Sequence, residues 1–108
     1  MTTVEKPWGR EIIWAKTQFY VGKILVVNDG QRLSLQYHKN KTETMMVLSG
    51  VVKATLGDST IVLRPYDNLH IEPNTIHRIE AVNGQATLVE VSTPELDDVV
   101  RIADDFNR

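Results

Sequence analysis

Three residues whose side chains can bind a metal ion lie close together in the first half of the chain. In the stretch GQRLSLQYHKNKTETMMVLSG (residues 30–50), one residue separates Gln36 from His38, and Glu43 follows five positions after the histidine. A carboxamide oxygen, an imidazole nitrogen and a carboxylate can all bind divalent metals. The stretch therefore has two interpretations, a metal site and an ordinary polar surface.

A β-strand over residues 32–38 would give the polar side chains a common face. Residues i and i+2 of a strand project to the same side, about 6.5 Å apart along it. The predicted polar face carries Arg32, Ser34, Gln36 and His38, and the predicted apolar face carries Leu33, Leu35 and Tyr37. On this pattern alone, a strand with its polar face in solvent is the simpler interpretation.

Short β-type segments separated by turn residues dominate the rest of the chain. Nine strands at about ten-residue spacing predict an all-β sandwich or barrel. They are residues 11–15, 19–27, 32–38, 44–49, 51–56, 60–63, 69–71, 77–82 and 86–91. Asn83-Gly84 predicts a hairpin between the last two. A short C-terminal helix is predicted within residues 94–106, from the helical spacing of Leu96, Val99, Val100, Ala103 and Phe106.

Length and composition favour one globular domain over residues 1–108. A net charge of −2 provides no basic stripe for nucleic acid and no polybasic membrane patch. No segment approaches the roughly 18 apolar residues of a membrane span, and the polar N-terminus does not resemble a signal peptide. The absence of cysteine excludes disulfides and thiolate metal ligands. We therefore expect a cytoplasmic protein.

Residues 30–50 resemble the first motif of the cupin superfamily. They read G-x5-Q-x-H-x4-E-x6-G, and the cupin motif reads G-x5-H-x-H-x(3,4)-E-x6-G. The segment DNLHIEPNTIHRIEAVN (67–83) resembles the second cupin motif, with Pro73 leading the turn, Asn74 where glycine is usual and His77 at the ligand position. The resemblance implies a cupin double-stranded β-helix, a jelly-roll barrel, here with a short C-terminal helix.

Longer matches resemble the type II mannose-6-phosphate isomerase cupin. They are KPWG near the start, YVGKILVVNDGQRLSLQYH, HRIE and the ending VEVSTPELDDVVRIADDFNR. That cupin carries glutamine at its first ligand position, as Gln36 does here. It often accompanies a guanylyltransferase domain, which these 108 residues lack, so we expect a stand-alone cupin. The chain departs from the family at KNK (39–41), Thr44-Met45 and STPEL (92–96), which border the expected pocket.

The resemblance implies a metal centre formed by Gln36, His38, Glu43 and His77. Mixed nitrogen and oxygen ligands suit Zn²⁺, our first expectation, and also Mn²⁺, Co²⁺, Ni²⁺ or Fe²⁺. The alternative is a degenerate cupin with a polar but empty pocket. The implied reaction is the aldose–ketose isomerisation of a sugar phosphate through a metal-stabilised enediolate.

The sequence offers several candidates for the base and for the substrate-binding groups. Lys23 and Glu80 are candidates for the base, although strand parity places Glu80 on the face opposite His77. Lys23, Arg32 and Arg78 are candidates for substrate binding, because arginine makes bidentate phosphate contacts and lysine offers a point charge.

Two other functions are compatible with the same pattern. One is a non-catalytic cupin that binds a sugar or sugar phosphate as an accessory to polysaccharide metabolism. The other is a metal-dependent dioxygenase, which would need Fe²⁺. Fold alone does not choose among these functions. Cupins commonly pair, so we also expect a homodimer, for which residues 11–15 and Trp8 offer apolar surface.

Overall fold

The computed structural model describes residues 1–95 and 97–107, which form nine β-strands. The strands are β1 (Thr2–Lys6), β2 (Gly9–Lys16), β3 (Val21–Val27), β4 (Leu35–Tyr37), β5 (Glu43–Leu56), β6 (Ser59–Leu63), β7 (Asn68–Ile71), β8 (His77–Ser92) and β9 (Val100–Ala103). The all-β prediction is confirmed. Within these described ranges there is no helix of the length and apolarity that crossing a membrane requires.

The two long strands, β5 and β8, organise the fold. They pair antiparallel, from Glu43 opposite Ser92 to Leu56 opposite His77. The C-terminal half of β8 also pairs with β3, and its first residue pairs with β4. The strand order is therefore β1-β2-β3-β8-β4-β9, while β6 and β7 pair with β5. Because β5 and β8 link the strands at both ends of the molecule, the sheet curls around a single core.

Both long strands bend where they face each other near Gly50. This residue has a φ of 84°, and a Cβ atom there would lie 2.5 Å from the carbonyl oxygen of Gln85, so only glycine fits. On β8 the bend falls at Asn83 and Gly84, which also have positive φ. The predicted hairpin at Asn83-Gly84 is therefore wrong. Residues with positive φ serve a bulge as well as a turn, and here β8 continues through the bend because both of its arms pair with β5.

The C-terminal segment forms a strand, and the predicted helix is wrong. β9 pairs antiparallel with β4, with Arg101 opposite Gln36. Branched residues such as Val100 and Ile102 favour a strand where an open sheet edge is available, and this edge outweighs the helical spacing of the apolar residues. Leu96, on which the helix prediction also rested, lies outside the described residues.

The interior of the rolled sheet is apolar at one end and charged at the other. The apolar end includes the buried side chains of Trp8, Leu25, Met45, Ile71, Ile79 and Leu88. Trp8 is only 2% exposed and contributes to the core, whereas Trp14 is 48% exposed and lies across Gly22. The polar end includes Lys23, His38, Lys41, Glu43, His77 and Glu90, all buried. Buried charges require partners or bound ions, so this end is the candidate site.

Candidate metal centre

Three potential ligand atoms meet at the charged end of the sheet. The Nε2 atom of His77 lies 3.2 Å from Oε1 of Glu43, and the Nε2 atom of His38 lies 3.7 Å from it. Within the described part of the chain, none of these three buried atoms has a hydrogen-bond partner. An unsatisfied buried polar group costs about 1–3 kcal/mol. Three such atoms in one place indicate a site suited to a cation.

Backbone carbonyl groups orient both imidazoles. The Nδ1 atom of His38 lies 2.8 Å from the carbonyl oxygen of Asp98, and that of His77 lies 2.9 Å from the carbonyl oxygen of Thr75. A carbonyl oxygen only accepts hydrogen bonds, so each Nδ1 carries a proton, which leaves each Nε2 as the ring atom that a metal ion can bind. Metal-binding histidines are commonly oriented in this way. Two imidazole nitrogens and a carboxylate oxygen therefore face one point, which fits a divalent metal ion.

The ends of three strands bring these residues together. His38 directly follows β4, Glu43 begins β5 and His77 begins β8. Gln36 is the antiparallel neighbour of His77 and lines a cavity together with His38 and Glu43, while its Oε1 accepts a 3.1 Å hydrogen bond from Ser34. The structure thus clusters three members of the expected ligand set and places Gln36 beside them. Its role as a fourth ligand stays a prediction.

A buried lysine and a second buried glutamate adjoin the cluster, and sequence reasoning missed both. The Nζ atom of Lys41 lies 2.9 Å from Oε2 of Glu43 and 3.3 Å from Oε2 of Glu90. Lys41 belongs to the KNK turn, which in sequence is typical of solvated surface. Glu90 shares the inward face of β8 with Leu88, and this alternation is a signal that could have identified it.

These contacts shift the pKa values of all three charged groups. Burial alone would raise the pKa of Glu43, but the imidazoles of His38 and His77 and the charge of Lys41 hold that pKa well below its usual range. Burial, followed by the negative charge of Glu43, raises the pKa of Glu90. Burial would lower the pKa of Lys41, yet Glu90 and Glu43 together raise it. Glu43 is therefore firmly ionised, and Glu90 is the more easily protonated of the two glutamates.

Asp98 fixes the loop that joins two of the clustered residues. Its carboxylate accepts backbone N–H hydrogen bonds from Lys39, Asn40 and Lys41, at 3.2, 2.6 and 3.0 Å. These bonds, with that from Asn40 the strongest influence, lower the pKa of Asp98. Because its own carbonyl group accepts from His38, this one residue orients both an imidazole and the loop that carries the buried lysine.

The cluster opens into a cavity of about 390 Å³, within the range of small-molecule sites. Lys23, one of the predicted site residues, lines this cavity, and its Nζ atom lies 3.3 Å from Oε2 of Glu11. Glu80, the other predicted base, is not among the lining residues. It lies opposite Lys53 of β5, and its backbone pairs with that of Arg32 as an isolated antiparallel β-bridge.

Arg32 and Arg78 also lie outside the cavity lining, and their expected role in substrate binding stays a prediction. Arg32 makes a bidentate pair with Asp105, at 2.7 and 2.8 Å. Arg78 donates hydrogen bonds to the carbonyl oxygens of Leu33 and Ala103, at 2.9 and 3.2 Å. Both guanidinium groups therefore hold the C-terminal segment against the sheet.

The predicted polar face of residues 32–38 is wrong in one respect. Leu33 lines the cavity together with Gln36 and His38, whereas Arg32 does not. The regular strand covers only Leu35–Tyr37, and its pairing with β9 shifts between Leu35 and Gln36. Simple alternation therefore does not hold over the whole segment.

Residues 1–104 match the family described as Mannose-6-phosphate isomerase C-terminal. The chain is 30% identical over 105 residues to mannose-1-phosphate guanylyltransferase RfbM of Salmonella typhimurium, covering 92% of this chain and 22% of that protein. It is 32% identical over 111 residues to alginate biosynthesis protein AlgA of Pseudomonas aeruginosa, covering 97% and 23%. The chain therefore spans less than a quarter of the length of these relatives.

Solved structures with the same fold include KdgF from Halomonas sp., with a TM-score of 0.83 and 18% identity over 91% of this chain and 92% of that one. Another is a sugar phosphate isomerase of the cupin superfamily, SPO2919 from Silicibacter pomeroyi, with a TM-score of 0.71 and 18% identity over 78% and 58%. At these identities the likeness shows the fold alone, and it confirms the expected cupin double-stranded β-helix. Together with the family match over nearly its whole length, this shows that the chain belongs to the mannose-6-phosphate isomerase C-terminal family of cupins.

Proposed function

We propose that this cupin is a metal-dependent aldose–ketose isomerase that acts on a phosphorylated sugar, of the mannose-6-phosphate isomerase type. The observation that carries the proposal is the cluster of three buried, unpartnered ligand atoms from His38, Glu43 and His77 beside a cavity of about 390 Å³. The family match supports the choice of substrate class, as does the description of one structural neighbour as a sugar phosphate isomerase.

The proposed metal ligands are His38, Glu43 and His77, with Gln36 as the fourth and Zn²⁺ as the first choice of ion. A divalent ion held there would supply Lewis-acid polarisation of neighbouring sugar oxygens. The buried walls of the cavity strengthen electrostatic interactions with a bound sugar, because they exclude water.

Isomerisation also requires a group that removes a proton from one carbon and returns it to the next. We assign this role to Glu90, which is 3% exposed and lines the cavity. Burial raises the pKa of Glu90, and a general base works best when its pKa lies near the working pH. Lys41 and Lys23 adjoin this carboxylate, the first as its ion-pair partner and the second as its neighbour across β3 and β8.

Solvent exchange tests the proposal. The protein would be loaded separately with Zn²⁺, Mn²⁺, Co²⁺ or Fe²⁺ and incubated in D₂O with mannose 6-phosphate or fructose 6-phosphate. We expect deuterium at C2 of the aldose or C1 of the ketose, with metal-free protein as the control. Sugar-phosphate binding without exchange would overturn the isomerase in favour of a binding cupin, and oxygen uptake with Fe²⁺ would favour an oxygenase.

A further inference from the structure

The cavity has a second, smaller compartment beside Gln36. It has a volume of about 50 Å³, and the residues Lys6, Glu11, Gln36 and Arg101 line both it and the main cavity. Trp8, a residue of the apolar core, forms part of its wall. The compartment therefore lies beside Gln36, between Lys6 of the edge strand β1 and Arg101 of the edge strand β9.

Two of the four cations around the cavity are already paired. Lys23 contacts Glu11, and Lys41 lies between Glu43 and Glu90. Within residues 1–95 and 97–107, no ion pair involves Lys6 or Arg101, so these two positive charges are available to a ligand.

Acidic side chains do not neutralise Lys6 and Arg101 in the small compartment. Its acidic lining residue is Glu11, which Lys23 already neutralises. Asp97 lines the main cavity but not the small compartment. The compartment therefore has a net positive potential and suits an anionic group.

The distance between the metal cluster and Arg101 fits a ligand that the protein binds at both of its ends. Arg101 is the antiparallel neighbour of Gln36, which is in turn the neighbour of His77. Adjacent strands lie about 4.8 Å apart, which places Arg101 about 10 Å from His77 along the sheet. Side chains directly opposite each other project to the same face, so Arg101, Gln36 and His77 form one row across β9, β4 and β8. A six-carbon sugar with its reacting oxygens at the cluster would extend along this row.

We propose that Lys6 and Arg101 form the subsite for the phosphate group of the substrate. Arginine offers two parallel N–H donors to a phosphate and lysine offers a compact positive charge. The identity of the phosphate carrier as a sugar rests on the function proposed above, whereas the anion site itself rests on the two available cations. This subsite is an alternative to Arg32 and Arg78, whose guanidinium groups are engaged with the C-terminal segment.

Binding of methyl phosphate to the metal-free, ¹⁵N-labelled protein tests the subsite independently of catalysis. We expect the amide signals of Lys6, Gln36 and Arg101 to shift during the titration. Lys6→Gln and Arg101→Gln should each raise the dissociation constant about tenfold. Lys53→Gln is the matched control, because Lys53 is exposed and does not line either compartment.

Three outcomes would overturn the subsite. They are an unchanged dissociation constant in both variants, a loss of similar size in the control, and acetate binding at these residues as strongly as methyl phosphate. Thermal melts of each variant would show that the fold is intact.

Kinetics with mannose 6-phosphate then separate the two proposals. In the Zn²⁺-loaded protein, each variant should raise KM about tenfold and leave kcat within about twofold. An active wild type with unchanged KM in the variants would remove the phosphate subsite and leave the isomerase. An inactive wild type that still binds methyl phosphate through Lys6 and Arg101 would remove the isomerase and leave the anion site.

Discussion

Replacing Lys41 by methionine removes the counter-charge of two buried glutamates. The Lys41 side chain is 6% exposed, and its Nζ atom lies 2.9 Å from Glu43 and 3.3 Å from Glu90. With an effective dielectric constant of about 20, each attraction amounts to about 5 kcal/mol before desolvation is counted. Breaking a buried ion pair by removing one partner typically costs about 3–5 kcal/mol of stability. We expect a loss of this size in the metal-free protein.

Urea denaturation of metal-free protein at pH 7.5, followed by circular dichroism, measures this loss. Lys39→Met is the matched control, since Lys39 is exposed in the same turn and only its backbone contacts Asp98. Zn²⁺ should restore part of the stability of Lys41→Met because it provides positive charge beside Glu43. At one hundred times its dissociation constant, a ligand specific for the folded state stabilises by about 2.7 kcal/mol.

The loss should also depend on pH, because the folded-state pKa of Glu90 is raised. A carboxyl group with a raised pKa stabilises the folded state at low pH, and this contribution disappears as the pH rises through the folded-state pKa. Lys41 opposes the shift, so Lys41→Met should raise the pKa of Glu90 further. The difference between wild type and variant should therefore be largest near pH 8 and smaller near pH 5. A loss below about 1 kcal/mol at pH 7.5, or one that grows towards pH 5, would refute the reasoning.

The other predictions concern the metal ligands, the proton carrier and the bend of the sheet. His38→Ala and His77→Ala should each lose stoichiometric Zn²⁺ in elemental analysis while circular dichroism retains the β-signal; full metal content in both variants would contradict the ligand assignment. Glu90→Gln should slow solvent deuterium exchange at least 100-fold with metal content unchanged, and exchange at the wild-type rate would exclude it as the base. Gly50→Ala should cost about 3 kcal/mol in urea denaturation, because its Cβ atom would lie 2.5 Å from a backbone oxygen of β8. Gly57→Ala, with positive φ but no atom within 4 Å, should cost only about 1 kcal/mol, and equal losses would show that φ strain alone matters.

Much of the candidate site was visible in the sequence because its residues have fixed spacing. Gln36, His38 and Glu43 stand in one short segment, and the second cupin-like motif supplies His77. Lys41 was missed because its partners are an adjacent strand residue and Glu90, which is 49 positions away. This ion pair is buried only because β5 and β8 pair in the folded protein. The local sequence pattern does not predict that pairing.

The errors in the fold share a physical cause, which is that pairing partners decide local structure. Residues 94–106 have apolar residues at helical spacing, yet the open edge of β4 recruits Val100–Ala103 as a strand. Asn83-Gly84 has ideal hairpin residues, yet both flanking arms pair with β5 and turn the signal into a bend. β1 (Thr2–Lys6) was not predicted because its segment has little apolar pattern of its own, and its pairing with β2 defines it.

Because of the ion pairs around the cavity, the stability of the fold and the binding of metal depend on different residues. Lys41 neutralises the Oε2 side of Glu43 and leaves Oε1 directed at the two imidazoles. Asp98 fixes the loop before Glu43 through backbone hydrogen bonds that need no metal. The cluster is therefore held in place by protein contacts alone, and an ion would meet oriented ligands. This is why loss of an imidazole should remove the metal and spare the strands, whereas loss of the buried ammonium should weaken the fold itself.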